Sequence, residues 1–157
     1  MTSSNDPVEP TDVPDSGGAT LELARFPETL AVVRLAAGSD LPEWAESSSV
    51  FAIVANATHT TLVCAGRSVP RKVPQRKPFT AFAVEARHEG AESTTERVPG
   101  DLTALLALLV PLAEAGLEAV PVPTFDADWV LVPAAQADRA EEAWRRSGHS
   151  IAPAVPV

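Results

Sequence analysis

An α+β fold, with antiparallel sheets and helices packed on one face, is predicted for this chain by three observations. Its second half reads strand, helix, strand, strand, helix, strand, which is the split βαβ order. Its first half repeats that order in abbreviated form. Its 157 residues suit one compact domain or two half-size units sharing a core. A composition that is 45% hydrophobic and 21% charged is that of a globular chain.

Residues 1–22 open the chain with Pro7, Pro10, Pro14 and Gly17-Gly18, and they carry Asp6, Glu9, Asp12 and Asp15 without a cation before Thr20. They show neither helical nor strand periodicity and read as a disordered acidic tail. The first regular element is the apolar run Leu30–Leu35, read as a strand buried on both faces. Asp40 or Ser39 caps an expected short helix from Leu41 to about Ser47, with Pro42 in its first turn. Strands Val50–Ala55 and Thr60–Ala65 follow as a hairpin closed by Asn56, Ala57, Thr58 and His59. Residues 23–66 thus form an abbreviated N-terminal unit.

Residues 67–78 hold three prolines and the cations Arg67, Arg71, Lys72, Arg76 and Lys77. They read as a solvated connector that excludes a helix or a central strand. The second unit, 79–154, starts with the strand Phe79–Glu85 and a polar loop from Arg87 to Gly100. Asp101 is a good N-cap for a helix that places Leu102, Leu105, Leu106, Leu109 and Leu112 on one stripe and stops at Gly116. Pro111 removes the helical bond to Ala107, so a bend is expected there. Segments Leu117–Phe125 and Asp128–Val132 make a second hairpin. A last helix runs from Pro133 to about Ser147, with Ala137, Ala140 and Trp144 on its dry side. Glu141–Arg145 and Glu142–Arg146 are i,i+4 pairs on its wet side. Gly148 ends it, and His149–Ala154 closes the sheet.

Several function classes are disfavoured. The net charge of -9 repels phosphate backbones, which excludes nucleic acid as a first choice of partner. The longest apolar run, Leu102–Ala113, falls short of the ~18 residues a bilayer span needs. Without a secretory signal the expected location is the cytoplasm. Cys64, the single cysteine, lies in an apolar run and reads as a buried small side chain. His59, His88 and His149 stand apart with no metal-ligand spacing. No nucleophile, phosphate-loop or redox motif occurs, so neither an enzyme nor a cofactor is expected.

The segment Thr124-Phe125-Asp126-Ala127-Asp128-Trp129-Val130-Leu131-Val132, arriving after the helix end Leu112-Ala113-Glu114-Ala115-Gly116, resembles a motif of ACT-type regulatory modules. The likeness is to bacterial proteins built from two tandem ACT-like, ferredoxin-like halves, relatives of aspartokinase regulatory regions and of eukaryotic arginine sensors. It covers about residues 23–152. It implies two βαββαβ units that pair their sheets or interleave strands. It also implies a non-catalytic module binding a small ligand, usually an amino acid, at an interface between units. An alternative is a structural or protein-interaction adaptor on the same scaffold. The expected partners are a small-molecule ligand, with a homo-oligomer or a regulated protein as further candidates.

An amino acid needs acceptors for its ammonium group and N–H donors for its carboxylate. The helix start at Asp101, Leu102 and Thr103 offers N–H groups, and Asp126 and Asp128 offer acceptors. By the resemblance, Thr124, Phe125 and Asp128 are candidate ligand contacts. Both aspartates also suit a purely structural role in a turn, and Phe125 suits a core. The family's short loop before this helix is replaced here by Ala86–Gly100, which implies a different ligand or lost binding.

Overall fold

A computed structural model describes residues 20–84, 102–124 and 127–154, less the Lys77 side chain. Residues 1–19 of the expected tail, the Arg87–Gly100 loop, Asp101, Phe125 and Asp126 lie outside the described residues, whereas Glu22, expected in that tail, belongs to the first strand. The elements are β1 (Glu22–Ala36), β2 (Ala52–Ala55), β3 (His59–Ala65), β4 (Gln75–Val84), α1 (Leu102–Glu114), β5 (Val120–Pro123), β6 (Asp128–Pro133), α2 (Ala137–Arg146) and β7 (Ser150–Pro153). A 3₁₀ turn, Ala134–Gln136, leads into α2.

All seven strands belong to one sheet in the order β2-β3-β1-β4-β6-β5, with β7 alongside β1. The architecture is mixed α+β, an antiparallel sheet with two helices; among the described strand pairs only β1–β7 is parallel. The long β1 serves both ends of the sheet. Its first residues, Glu22–Arg25, lie between β7 and β4, while Leu30–Ala36 pair with β3. The N-terminal half is therefore interleaved with the C-terminal half, so that the two share one sheet.

β1 is longer than the Leu30–Leu35 run that the apolar pattern picks out. Pro27 cannot donate to a ladder, and the register with β4 shifts between Arg25 and Thr29, so the strand passes the proline as an irregularity. β4 likewise begins at Gln75, inside the expected connector, and carries Pro78 within it. The expected helix Leu41–Ser47 does not form. A helix that short makes few internal bonds. Here one turn survives, Ala45 N–H to the Pro42 carbonyl, while the Glu46 carbonyl accepts from Ala65 N–H. Trp44, Ala45 and Phe51 instead pack as irregular chain over Ala31, Val33, Leu62, Cys64 and Val69.

The two helices cover the other half of the same sheet. Phe82, Val84, Val130 and Val132 face Leu108, Leu112, Ala137, Ala140 and Trp144. Phe82 and Trp144 meet edge to face with centroids 4.8 Å apart, worth about 0.5–1.5 kcal/mol beyond area burial. The opposite face carries Leu30, Val63, Phe79, Ala81, Val122 and Leu131, as the two-residue period of strands requires.

The stripe expected on α1 is buried only in part: Leu112 is in the core and Leu109 packs against it. Leu108 and Leu112 point inward, whereas Leu102 and Leu106 are exposed. The helix has no charged residue before Glu114, so its sequence offers no polar face to set the orientation, and packing decides it. At the C-terminal end Leu117 N–H bonds to Leu112 and Gly116 N–H to Ala113, with Gly116 at φ 66°. That is the left-handed cap expected of this glycine. Gly148 ends α2 in the same manner, with His149 N–H bonded to Trp144.

Pro111 leaves the Ala107 carbonyl without its helical donor. His149 supplies the replacement. Its Nδ1 accepts from Leu21 N–H at 3.2 Å, so Nε2 carries the proton and donates to the Ala107 carbonyl at 3.1 Å. The Trp144 indole N–H donates to the neighbouring Leu108 carbonyl at 2.8 Å. Both i,i+4 pairs of α2 form, but Glu141 is not on the wet side. Its side chain is 11% exposed, and it also accepts from Arg25 of β1 at 2.6 Å. This contact raises the Arg25 pKa, with Asp138 adding to the effect.

Candidate functional site

The candidate site is built from the β5–β6 hairpin and the start of α1. The pair Pro123–Asp128 closes the hairpin, and Thr124 locks its turn. The Thr124 hydroxyl donates to the Ala127 carbonyl at 2.7 Å and accepts from Ala127 N–H at 3.1 Å. Its donor is therefore spent within the turn. Asp128 is buried, 8% exposed, at the first position of β6. It shares the strand face of Val130 and Val132, the face that the helices cover. Trp129 points to the other side and packs against Phe26 with centroids 4.6 Å apart.

Register and helix contacts fix which end of the sheet this is. Trp129 pairs with Ala83, near the end of β4, and Val84 pairs with Leu23. Glu22 in turn pairs with Ser150, just beyond the end of α2. Along the helices, Arg139 reaches the Ala115 carbonyl, Trp144 the Leu108 carbonyl and His149 the Ala107 carbonyl. Helix α1 thus runs antiparallel to α2, and its first residues, Leu102 and Thr103, lie at the end of the sheet that holds the hairpin turn. The start of α1 and the buried Asp128 therefore lie at the same end of the sheet. Asp101, Phe125 and Asp126 are outside the described residues.

Among the described residues no group of His, Cys, Asp and Glu is arranged to hold a metal ion. No helix among them is long and apolar enough to cross a membrane. Cys64 is fully buried, and burial pushes its thiol pKa up.

The described basic residues of 67–78 are exposed, and two of them form surface ion pairs. Arg67 pairs with Glu46 at 3.0 Å and Arg76 with Glu118 at 2.7 Å. Arg76 also lies over the Phe79 ring at 5.5 Å. Together with Arg34, His59 and Thr61, Arg76 lines an open groove that the sequence reading missed. The one signal in the sequence was Arg34, a lone cation inside an apolar strand.

No family model matches the chain, and no curated protein matches it. Among solved structures it resembles a protein from Agobacterium tumefaciens at 20% identity, covering 88% of this chain and 97% of that one, with a TM-score of 0.73. A Vibrio cholerae protein of unknown function, described as a possible transport protein, matches at 17% identity over 82% of this chain and 91% of that one, TM-score 0.58. The aspartate kinase of Clostridium acetobutylicum, described as an allosteric enzyme, matches at 10% identity with a TM-score of 0.55. That match covers 85% of this chain and only 37% of the kinase. Identities this low speak for the fold alone, and the fold they share with this chain is ACT-like.

Proposed function

We propose that the chain is a non-catalytic regulatory module that binds a small molecule, an amino acid in this reading. The observation that carries it is the convergence, at one end of an ACT-like sheet, of the α1 start with a tight hairpin holding the buried Asp128 on the helix-covered face. The N–H groups at Leu102 and Thr103, with Asp101 before them, receive the ligand carboxylate. Asp128, with Asp126, accepts from its ammonium group. Phe125, next to Thr124 in sequence, is a further candidate contact by the resemblance. Thr124 holds the turn through Ala127 and so shapes the site.

The interleaved strands support a description as two tandem ACT-like units, the first abbreviated and without a helix. A ligand at a seam between units, or between copies of the chain, stabilises one arrangement by its differential affinity for the two states. The regulated partner then reads the altered surface.

Thermal-shift measurements against the twenty amino acids test this reading. A ligand at a hundredfold excess over its Kd stabilises the fold by about 2.7 kcal/mol, a rise in Tm of roughly 5–10 °C for a chain of this size. Asp128→Asn should abolish that rise. Silence from all twenty at millimolar concentration would remove the amino-acid reading.

A second reading, a protein-interaction adaptor, draws on the outward face of α1. Leu102, Leu106 and Val110 recur every fourth residue and are 70%, 57% and 43% exposed. Under this reading Leu106→Glu abolishes partner capture and Asp128→Asn leaves it intact.

A further inference from the structure

The outermost strands of the sheet treat their open edges differently. At one end β5 carries Pro121 and Pro123, and β7, beside β1, finishes at Pro153. A proline has no N–H to offer a further strand. At the other end β2, Ala52–Ala55, holds neither a proline nor a charge. Among the described residues its outer edge pairs with no strand.

The parity of the ladder says which groups that edge presents. Asn56 N–H donates to the His59 carbonyl at 3.0 Å and so closes the β2–β3 hairpin. Residues that turn their backbone groups inward alternate along an antiparallel strand. Val54 and Ala52, opposite Thr61 and Val63, therefore bond to β3. The N–H and C=O groups of Ile53 and Ala55 point away from the sheet. Side chains there are apolar and open to solvent, with Ile53 51% and Val54 62% exposed.

Charge and symmetry select what pairs with this edge. The chain carries a net charge of -9, yet from Ser47 to Gly66 it has no Asp, Glu, Lys or Arg. Two copies of the chain repel each other over most of their surface, whereas a contact through this neutral strand sets no like charges opposite one another. A two-fold axis at Val54 places Ile53 opposite Ala55 of the second copy, and Ala55 opposite its Ile53. Each of these pairs exchanges two hydrogen bonds, so all the outward groups of Ile53 and Ala55 are used. Val54 meets its own counterpart at the axis, in a non-hydrogen-bonded pair where side chains come closest. It shares a face with Ala52, which packs against the apolar cluster of Leu30, Val63 and Phe79. The contact thus continues an existing apolar face.

We propose that this chain self-associates through β2, as a two-fold antiparallel strand pair that joins two sheets into one. The four residues of β2 are few beside the roughly 20–30 residues a side of a standard interface, so the dimer is weak and fills with rising concentration. It needs no ligand at the hairpin end and stands apart from the regulatory reading placed there.

Sedimentation equilibrium of the full chain from about 10 μM to about 1 mM, the range in which a weak association is read, tests it. Both monomer and dimer should be populated across that range. Val54→Lys and Val54→Glu each set like charges across the axis and should weaken dimerisation by about fivefold or more, while a mixture of the two should form the heterodimer at least about fivefold more tightly than either variant pairs with itself. Leu106→Glu, on the exposed face of α1, should leave the association unchanged. Val54 is exposed, and matching thermal midpoints will show that its variants are folded. A chain that stays monomeric at about 1 mM leaves this edge to some other extended peptide and overturns the proposal. So does a dimer that survives both Val54 variants, one that only Leu106→Glu dissolves, or a Lys–Glu mixture that pairs no better than its components.

Discussion

Replacing His149 with alanine probes the contact that compensates for the proline in α1. The ring accepts Leu21 N–H and donates to the Ala107 carbonyl, a group that Pro111 leaves without a helical donor. His149 is 7% exposed, so removing it strands two backbone groups away from bulk water. Each orphan costs about 1–3 kcal/mol, and with both bonds only partly buried the lower part of that range applies, giving roughly 2–4 kcal/mol for His149→Ala. In a Pro111→Ala background the restored N–H at position 111 bonds to Ala107 as in any helix. Only the Leu21 N–H is then orphaned, and the cost of His149→Ala should fall by about 1–2 kcal/mol. Urea unfolding of the four proteins in this cycle reads the difference as a coupling energy. A coupling below about 0.5 kcal/mol, the scatter expected of independent sites, would refute the compensation.

Three further outcomes follow from the packing. Trp144→Ala removes a fully buried ring, its edge-to-face contact with Phe82 and its bond to Leu108; it should cost about 3–5 kcal/mol in denaturant unfolding. Glu141→Ala breaks contacts to both Arg25 and Arg145 and should cost about 1–2 kcal/mol, whereas Glu142→Ala, in an exposed pair, should cost at most about 0.5 kcal/mol; equal losses would contradict the difference in burial. Cys64, with its thiol pKa raised by burial, should resist thiol reagents until denaturant is added. As pH rises, the unfolded chain loses the thiol proton before the folded protein does, so stability should decline above the ordinary thiol range, and Cys64→Ala should flatten that decline.

Much of the candidate site was legible as residues but not as a place. The hairpin at 124–128 and the helix start at 102 could be located from turn chemistry and capping rules, because both are local. That they share one end of the sheet depends on the antiparallel run of α1 and α2, which no local pattern encodes. The groove around Arg34 was illegible for a related reason. Its residues come from three strands distant in sequence, and one of them, Arg76, looked like part of a proline-rich connector.

By itself the sequence determined the α+β class, the two hairpins, the dry side of α2 and the glycine stops at Gly116 and Gly148. These follow from short-range periodicity and backbone stereochemistry, which act within a few residues. Tertiary structure alone decided that β1 runs past Pro27 to serve both halves, that residues 41–47 pack as irregular chain, and that Leu108 rather than Leu106 faces the core. Each of those choices is made by partners far along the chain: β7 and β4 for the strand, the Ala65 amide and the surrounding apolar cluster for the missing helix, and the sheet for the orientation of a helix that is apolar all round.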